Sequence, residues 1–224
     1  ITYSTAISAC EKGALWERAL AMLKDMQQKR EEPNAITYNA VISACSKGHE
    51  WERAMTLLQA MRYHAVSVQV ITYNAAITAC ERVQHWSVAL VLLTEMKEHG
   101  LEPDTITYNA IISACEKSQE WERALDIFRD MREQTLHPSI VTHNAAISAF
   151  EKGEDWERSL DMLQTMTGKH IHPDAITYSP IVSACGRDQQ WQRALTLMRQ
   201  MPGRAVELNL ITYNAAISAC EKGQ

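Results

Sequence analysis

Four side-chain slots recur at a fixed 35-residue step, and together they hold the parts of a nucleotide site. The first slot is Ile1, Ile36, Ile71, Ile106, Val141, Ile176 and Ile211, always β-branched and apolar. Next come Ser4, Asn39, Asn74, Asn109, Asn144, Ser179 and Asn214, always a small hydrogen-bonding side chain. Ser8, Ser43, Thr78, Ser113, Ser148, Ser183 and Ser218 follow. The last slot, Lys12, Lys47, Arg82, Lys117, Lys152, Arg187 and Lys222, is basic every time. An apolar platform can lie against a base, an amide or hydroxyl can read a base edge, and a cation can meet a phosphate. Each slot also has a plainer reading. The isoleucines could be packing between repeats, and the Asn/Ser slot a helix N-cap. The basic slot, with Glu beside it at 11, 81, 116, 151 and 221, could be a solvated face whose cations complement helix dipoles. The combination favours a single-nucleotide site repeated along one wall, because a peptide groove does not require this trio.

Other chemistry is poorly supplied. The eight His are scattered, and His170-x-His172 lacks Cys or carboxylate partners at metal spacing. The six Cys stand at 10, 45, 80, 115, 185 and 220, each a multiple of 35 from the next, with Phe150 in the one vacancy. A slot that takes either Cys or Phe is a packing slot. Six reduced, buried thiols in a reducing compartment are therefore expected, without disulfides or metal. Neither a nucleophile motif nor a phosphate loop appears, and no carboxylate pair calls for a perturbed pKa. The expectation is a protein that is not an enzyme and that needs no cofactor.

These slots need elements to position them. The same 35-residue step governs all six Trp, at 16, 51, 86, 121, 156 and 191, and the Thr-Tyr pairs at 2, 37, 72, 107, 177 and 212. Thr142-His143 stands in once. Tyr38, Val41, Ile42 and Cys45 are spaced as one buried helical face, Gly48 ends that helix, and Trp51, Ala54, Met55, Leu58 and Met61 repeat the pattern. Each unit is thus a helical hairpin. Pro33, Pro103, Pro138 and Pro173, followed by Asn, Asp, Ser and Asp, supply a stop and then a cap for the next unit. One hairpin cannot cover its own apolar stripe, so the hairpins must stack. The fold class is all-α, an α-solenoid or superhelix of helix-turn-helix hairpins. It fills residues 1–224 as one solenoid of repeats 1–34, 35–69, 70–104, 105–139, 140–174 and 175–209 and the half repeat 210–224. The second repeat lacks its proline, the third has Arg82-Val83-Gln84 at its turn, and Pro180 predicts a late start for the first helix of the sixth.

The 224 residues carry a formal net charge of −5 with 46% apolar residues, which excludes a polycationic tail and a disordered chain. No apolar run approaches the ~20 residues of a membrane span. An opening Ile and a stop in mid-pattern at Gln224 suggest a piece of a longer protein.

At Ile-Thr-Tyr-Asn, Lys-Gly, Trp-Glu-Arg-Ala-Leu, Met and Pro-Asp, at a 35-residue step across the whole chain, the sequence resembles the pentatricopeptide repeat family. The tetratricopeptide class, by contrast, steps by about 34 residues with a Trp-x-x-Leu-Gly signature absent here. The resemblance implies a sequence-preferring single-stranded RNA-binding module taking about one base per repeat and working by occupancy. It implies that the residue after Thr-Tyr and the residue closing the repeat choose the base. Ser4 with Asn34 then implies adenine, and Asn39 with Gln69 matches no pairing. Asn74 with Asp104 implies uracil, and Asn109 with Ser139 cytosine or uracil. Asn144 with Asp174 implies uracil, Ser179 with Asn209 adenine, and Asn214 has no visible partner. It implies further that the Ile/Val slot sandwiches bases and that the basic slot contacts phosphates. Expected partners are single-stranded RNA, with protein partners or processing enzymes beside it and no membrane, for a monomer working in a chloroplast or mitochondrion. The alternative is an α-helical protein-interaction scaffold whose RNA groove has degenerated.

Overall fold

The computed structural model describes residues 2–203, 206–207 and 209–222, the side chains of Thr2, Ile211 and Lys222 excepted. Of the sites named above, Ile1 and the side chains of Ile211 and Lys222 lie outside the described residues.

Among the described residues there are thirteen α-helices and no strand. They pair as α1 (Thr2–Lys12) with α2 (Trp16–Gln28), α3 (Ala35–Lys47) with α4 (Trp51–Tyr63), and α5 (Val70–Arg82) with α6 (Trp86–Glu98). Then come α7 (Thr105–Lys117) with α8 (Trp121–Glu133), α9 (Ile140–Lys152) with α10 (Trp156–Gly168), and α11 (Ala175–Arg187) with α12 (Trp191–Gly203). A lone α13 (Leu210–Lys222) closes the series, so the fold is an all-α repeat solenoid. The chain divides into two compact units, 1–114 and 115–224. In the first, α1, α3 and α5 stack side by side, with α2 against α3 and α4 against α5. In the second, α9, α11 and α13 stack in the same way, backed by α8, α10 and α12. Among the described residues no helix is long and apolar enough to cross a membrane.

The first helices start where a side chain caps them. Asn34 Oδ1 accepts from Thr37 N–H at 3.0 Å, Asp104 Oδ1 from Thr107 N–H at 2.9 Å, and Ser139 Oγ from Thr142 N–H at 3.3 Å. Asp174 and Asn209 do the same at 2.9 and 2.8 Å. Each contact satisfies an amide that the helix itself leaves without a partner. The cap also decides the proline question. Pro180 lies inside α11, which begins at Ala175 and not late, because Asp174 and Thr177 cap each other reciprocally and fix the start five residues earlier. The hydroxyl of Ser179, just before the proline, turns back to the Ala175 carbonyl at 2.7 Å. The second repeat keeps its geometry without proline, since Gln69 holds the extended backbone of an N-cap.

The apolar faces meet as the spacing requires. Tyr38, Val41, Ile42 and Cys45 on α3 and Ala54, Leu58 and Met61 on α4 are all buried. Cys10, Cys45, Cys80, Cys115 and Cys185 are free, buried thiols, but Cys220 is exposed. That departs from the expectation of six buried thiols: on α13 the residues Tyr213 and Ile217 are also exposed, 48% and 59%, where Tyr38 and Ile42 are sealed by the second helix of their hairpin.

Gly48 ends α3, but not through a left-handed conformation. Its φ is −85°, and the positive φ falls one residue later on His49 (φ 63°). Ala14, Gln84, Gln119, Glu154 and Gln189 take the same left-handed conformation at the same turn position. Gly48 is needed for room: a Cβ there would lie 2.1 Å from Trp16 Cδ1. Gly153 has the same relation to Trp121, at 2.9 Å from Cε3. The tryptophan of one hairpin thus seats under the turn of the next, and Arg53 lies over the Trp16 ring at 4.5 Å from its centre.

Candidate nucleic-acid interface

The first helices carry two faces, one buried against neighbours and one that follows the 35-residue slots into solvent. Ile36, Ile71, Ile106, Val141 and Ile176 are 66, 60, 61, 60 and 66% exposed. The packing explanation for this slot fails, because an isoleucine buried between helices would be covered. Leaving one exposed forgoes about 2 kcal/mol of burial each time, and the choice is repeated five times.

Beside this platform lies a polar set that the caps hold in place. In the first unit, Asn74 Nδ2 donates to Asp104, 3.1 Å from each carboxylate oxygen, and Asn74 Oδ1 accepts from the Thr107 hydroxyl. That hydroxyl in turn accepts from Asp104 N–H at 3.2 Å. In the second unit, Asn144 Nδ2 donates to Asp174 at 3.3 Å, and Thr177 Oγ donates to Asn144 Oδ1 at 2.7 Å. Thr72 Oγ donates to Asn39 Oδ1 at 2.7 Å, with no bond between Asn39 and Gln69. Ser4 pairs with Thr37 at 3.3 Å and Ser179 with Thr212 at 3.1 Å. Asn109 and Ser139 are half-buried and each has a partner, while Asn214 is exposed. The N-cap reading of the Asn/Ser slot is thereby excluded. Apart from Ser4, the third residue of α1, these residues sit at the fifth position of their helices, and the cap is the closing residue of the preceding repeat.

The threonines are what the sequence reading missed. Thr37, Thr72, Thr107, Thr142, Thr177 and Thr212 are buried, and in Asn34/Ser4, Asp104/Asn74 and Asp174/Asn144 a single threonine joins the closing residue to the Asn/Ser of the same repeat. The available signal was a cap residue followed three positions later by Thr in every repeat, a variant of the capping box.

In the first unit a groove of about 520 Å³ gathers these parts, lined by Ile36, Asn39, Lys47, Ile71, Asn74 and Arg82 among others. Asn74 is only 8% exposed, yet it forms part of the groove wall and is not sealed in a helix contact.

The basic slot is mostly engaged by carboxylates. Lys47 Nζ lies 3.2 Å from Glu11 Oε1 and 3.1 Å from the Glu11 carbonyl, and Ser43 Oγ donates to the same carboxylate at 2.9 Å. Lys152 and Ser148 hold Glu116 at 2.8 Å, and Arg187 and Ser183 hold Glu151. Ser113 donates to Glu81 at 2.8 Å, and Lys117 has a partner as well. Lys12 and Arg82 are exposed without a carboxylate partner. Among the described residues no group of three or more His, Cys, Asp or Glu could hold a metal ion.

Stacked helical hairpins on a 35-residue step, with an exposed platform on α3, α5, α7, α9 and α11, define a helix-hairpin repeat protein. Models of the pentatricopeptide repeat match residues 1–47, 36–65, 56–118, 91–153, 126–188 and 161–223. The chain belongs to the pentatricopeptide repeat family. No curated protein matches it. Among solved structures it is similar to the pentatricopeptide repeat protein PPR10 from maize, at 24% identity and a TM-score of 0.67 over 96% of this chain and 31% of that one. It is similar to the same protein in complex with an 18-nucleotide psaJ RNA element, at 17% identity and a TM-score of 0.61 over 99% and 37%. A third match is the repeat domain of Arabidopsis thaliana protein-only RNase P 1 in complex with tRNA, at 14% identity and a TM-score of 0.70 over 80% and 95%. The chain spans about a third of the length of the maize protein.

Proposed function

We propose that this chain is a single-stranded RNA-binding module that takes about one base per hairpin. The observation that carries the reading is the exposed β-branched residue repeated on α3, α5, α7, α9 and α11, set in the first unit beside Asn39, Gln69 and Asn74, which line the same groove. A base laid between two such platforms meets apolar surface on both faces, and its edge meets the polar pair. The donor and acceptor chemistry suits the implied register. Asp104 as a carboxylate only accepts, which suits uracil with its N3–H and disfavours cytosine, whose N3 accepts. Asn34 has both a donor and an acceptor, which adenine N1 and N6 can meet. The register is then A, any base, U, C or U, U, A from Ser4/Asn34 to Ser179/Asn209. The neighbours that hold an RNA element and a tRNA support an RNA partner for this fold. The module works by occupancy in organellar RNA processing or expression, in keeping with the family.

Filter binding against an RNA with this register and against a scrambled one tests the proposal. Preferential binding of the first supports it. A carboxylate-neutralised ribbon is the feature that favours a protein-interaction scaffold instead, and equal, weak binding of both RNAs selects that reading.

A further inference from the structure

The ribbon is uniformly basic in sequence but not in charge. At Glu11, Glu116 and Glu151, each just before its own hairpin's ribbon cation, the carboxylate takes the Ser and the Lys or Arg of the next hairpin, and Glu81 takes Ser113. Each cation also donates to the backbone carbonyl of that Glu, so it ties two hairpins together. In the second repeat the Glu position holds Ser46, a buried hydroxyl in the groove wall that carries no charge. Arg82, on the following hairpin, is therefore exposed at the groove without a carboxylate, and it lines that groove together with Ile71 and Asn74 of the same helix.

We infer that the basic ribbon is divided between two roles: Arg82 is the phosphodiester-binding residue of the first unit's groove, while Lys47, Lys152 and Arg187 are positioning residues that staple hairpins. This rests on the RNA reading above and deepens it. A guanidinium offers a planar fork that fits two phosphate oxygens. A lysine already neutralised by Glu releases few counterions when RNA binds, because its positive field is largely cancelled before the strand arrives. Within this groove the strand is thus anchored at Arg82, and the hairpins whose cations are engaged by Glu read bases with little backbone attraction.

The test measures RNA affinity as a function of salt for four variants, with thermal melting as a check on folding. Arg82→Gln should weaken binding about five- to tenfold near 0.1 M salt and flatten the log–log slope by about 0.7, the loss of one phosphate contact to a single strand. Lys47→Gln should leave the slope unchanged and lower the melting temperature. Glu11→Gln should free Lys47 and steepen the slope. Ser46→Glu restores the carboxylate found in the other hairpins and should copy Arg82→Gln. Equal flattening by Lys47→Gln and Arg82→Gln, or no flattening by Arg82→Gln, overturns the division of roles. Loss of sequence preference in the wild type, with the Arg82 effect intact, would instead sink base reading and leave this assignment standing.

Discussion

Thr107 shows how much of the interface depends on one hydroxyl. It caps α7 with Asp104 through its amide, accepts from the Asp104 backbone, and donates to Asn74. Thr107→Val keeps the shape and removes the hydroxyl, leaving a buried amide oxygen without its donor at a cost of about 1–2 kcal/mol. Urea unfolding should register that loss, and RNA binding should lose preference at the third nucleotide while keeping it elsewhere. His143 makes a second residue-scale prediction. It occupies a slot held by Tyr38, Tyr73, Tyr108 and Tyr178 elsewhere, is 1% exposed, and packs edge-on against Phe128 at 5.7 Å. Burial holds its pKa below the usual 6.5, partly countered by the Ser139 carbonyl at its Nδ1, with Lys169 and Arg132 pushing the same way as burial. A histidine kept neutral in the fold stabilises fully above pH 6.5, and that stability falls as pH drops from 6.5 through the lower folded value. The melting temperature should therefore decline between pH 7.5 and 5 more in the wild type than in His143→Tyr. An equal decline in both would remove His143 from the account.

At the scale of the element, the turn between the two helices of a hairpin carries the stacking. Gly48→Ala would drive a methyl into Trp16, so it should cost about 2 kcal/mol or more in equilibrium unfolding. Gly13, at the same turn position in the first hairpin, has its nearest such neighbour at 3.5 Å, and Gly13→Ala should be neutral or slightly stabilising. The contrast between the two separates a need for space from a need for a special backbone angle. Sequence alone assigns Gly48 to the second class, by the usual habit of helix ends. What it could not show is that Trp16 of one hairpin lies beneath the turn of the next, a contact set by hairpin stacking. Pro180 teaches the same lesson from the other side: a breaker inside α11 is legible in the sequence, but the reciprocal Asp174–Thr177 cap that keeps the helix start in place is a property of the folded backbone.

At the scale of the molecule, the 35-residue step made the helices, the hairpins and the buried faces legible before any coordinates, because periodicity is a property of composition along the chain. The platform and the Asn/Ser slot were legible for the same reason. The ribbon's charge was not, since Glu11 and Lys47 are 36 residues apart and meet only when two hairpins stack at one particular spacing. On the proposed RNA reading, a net charge of −5 and a ribbon largely cancelled by its own carboxylates would leave base contacts, more than bulk electrostatics, to hold a strand. The most direct test of that claim is to recode one hairpin. Asn74→Ser with Asp104→Asn copies the Ser4/Asn34 pair into the third repeat, and Asn34 already shows that asparagine caps such a helix. Competition binding should then show the preference at the third nucleotide moving from uracil to adenine by about tenfold, with every other position unchanged. A variant that melts like the wild type yet still prefers uracil there, or that loses affinity for all RNAs alike, would contradict the claim that each hairpin reads its own base.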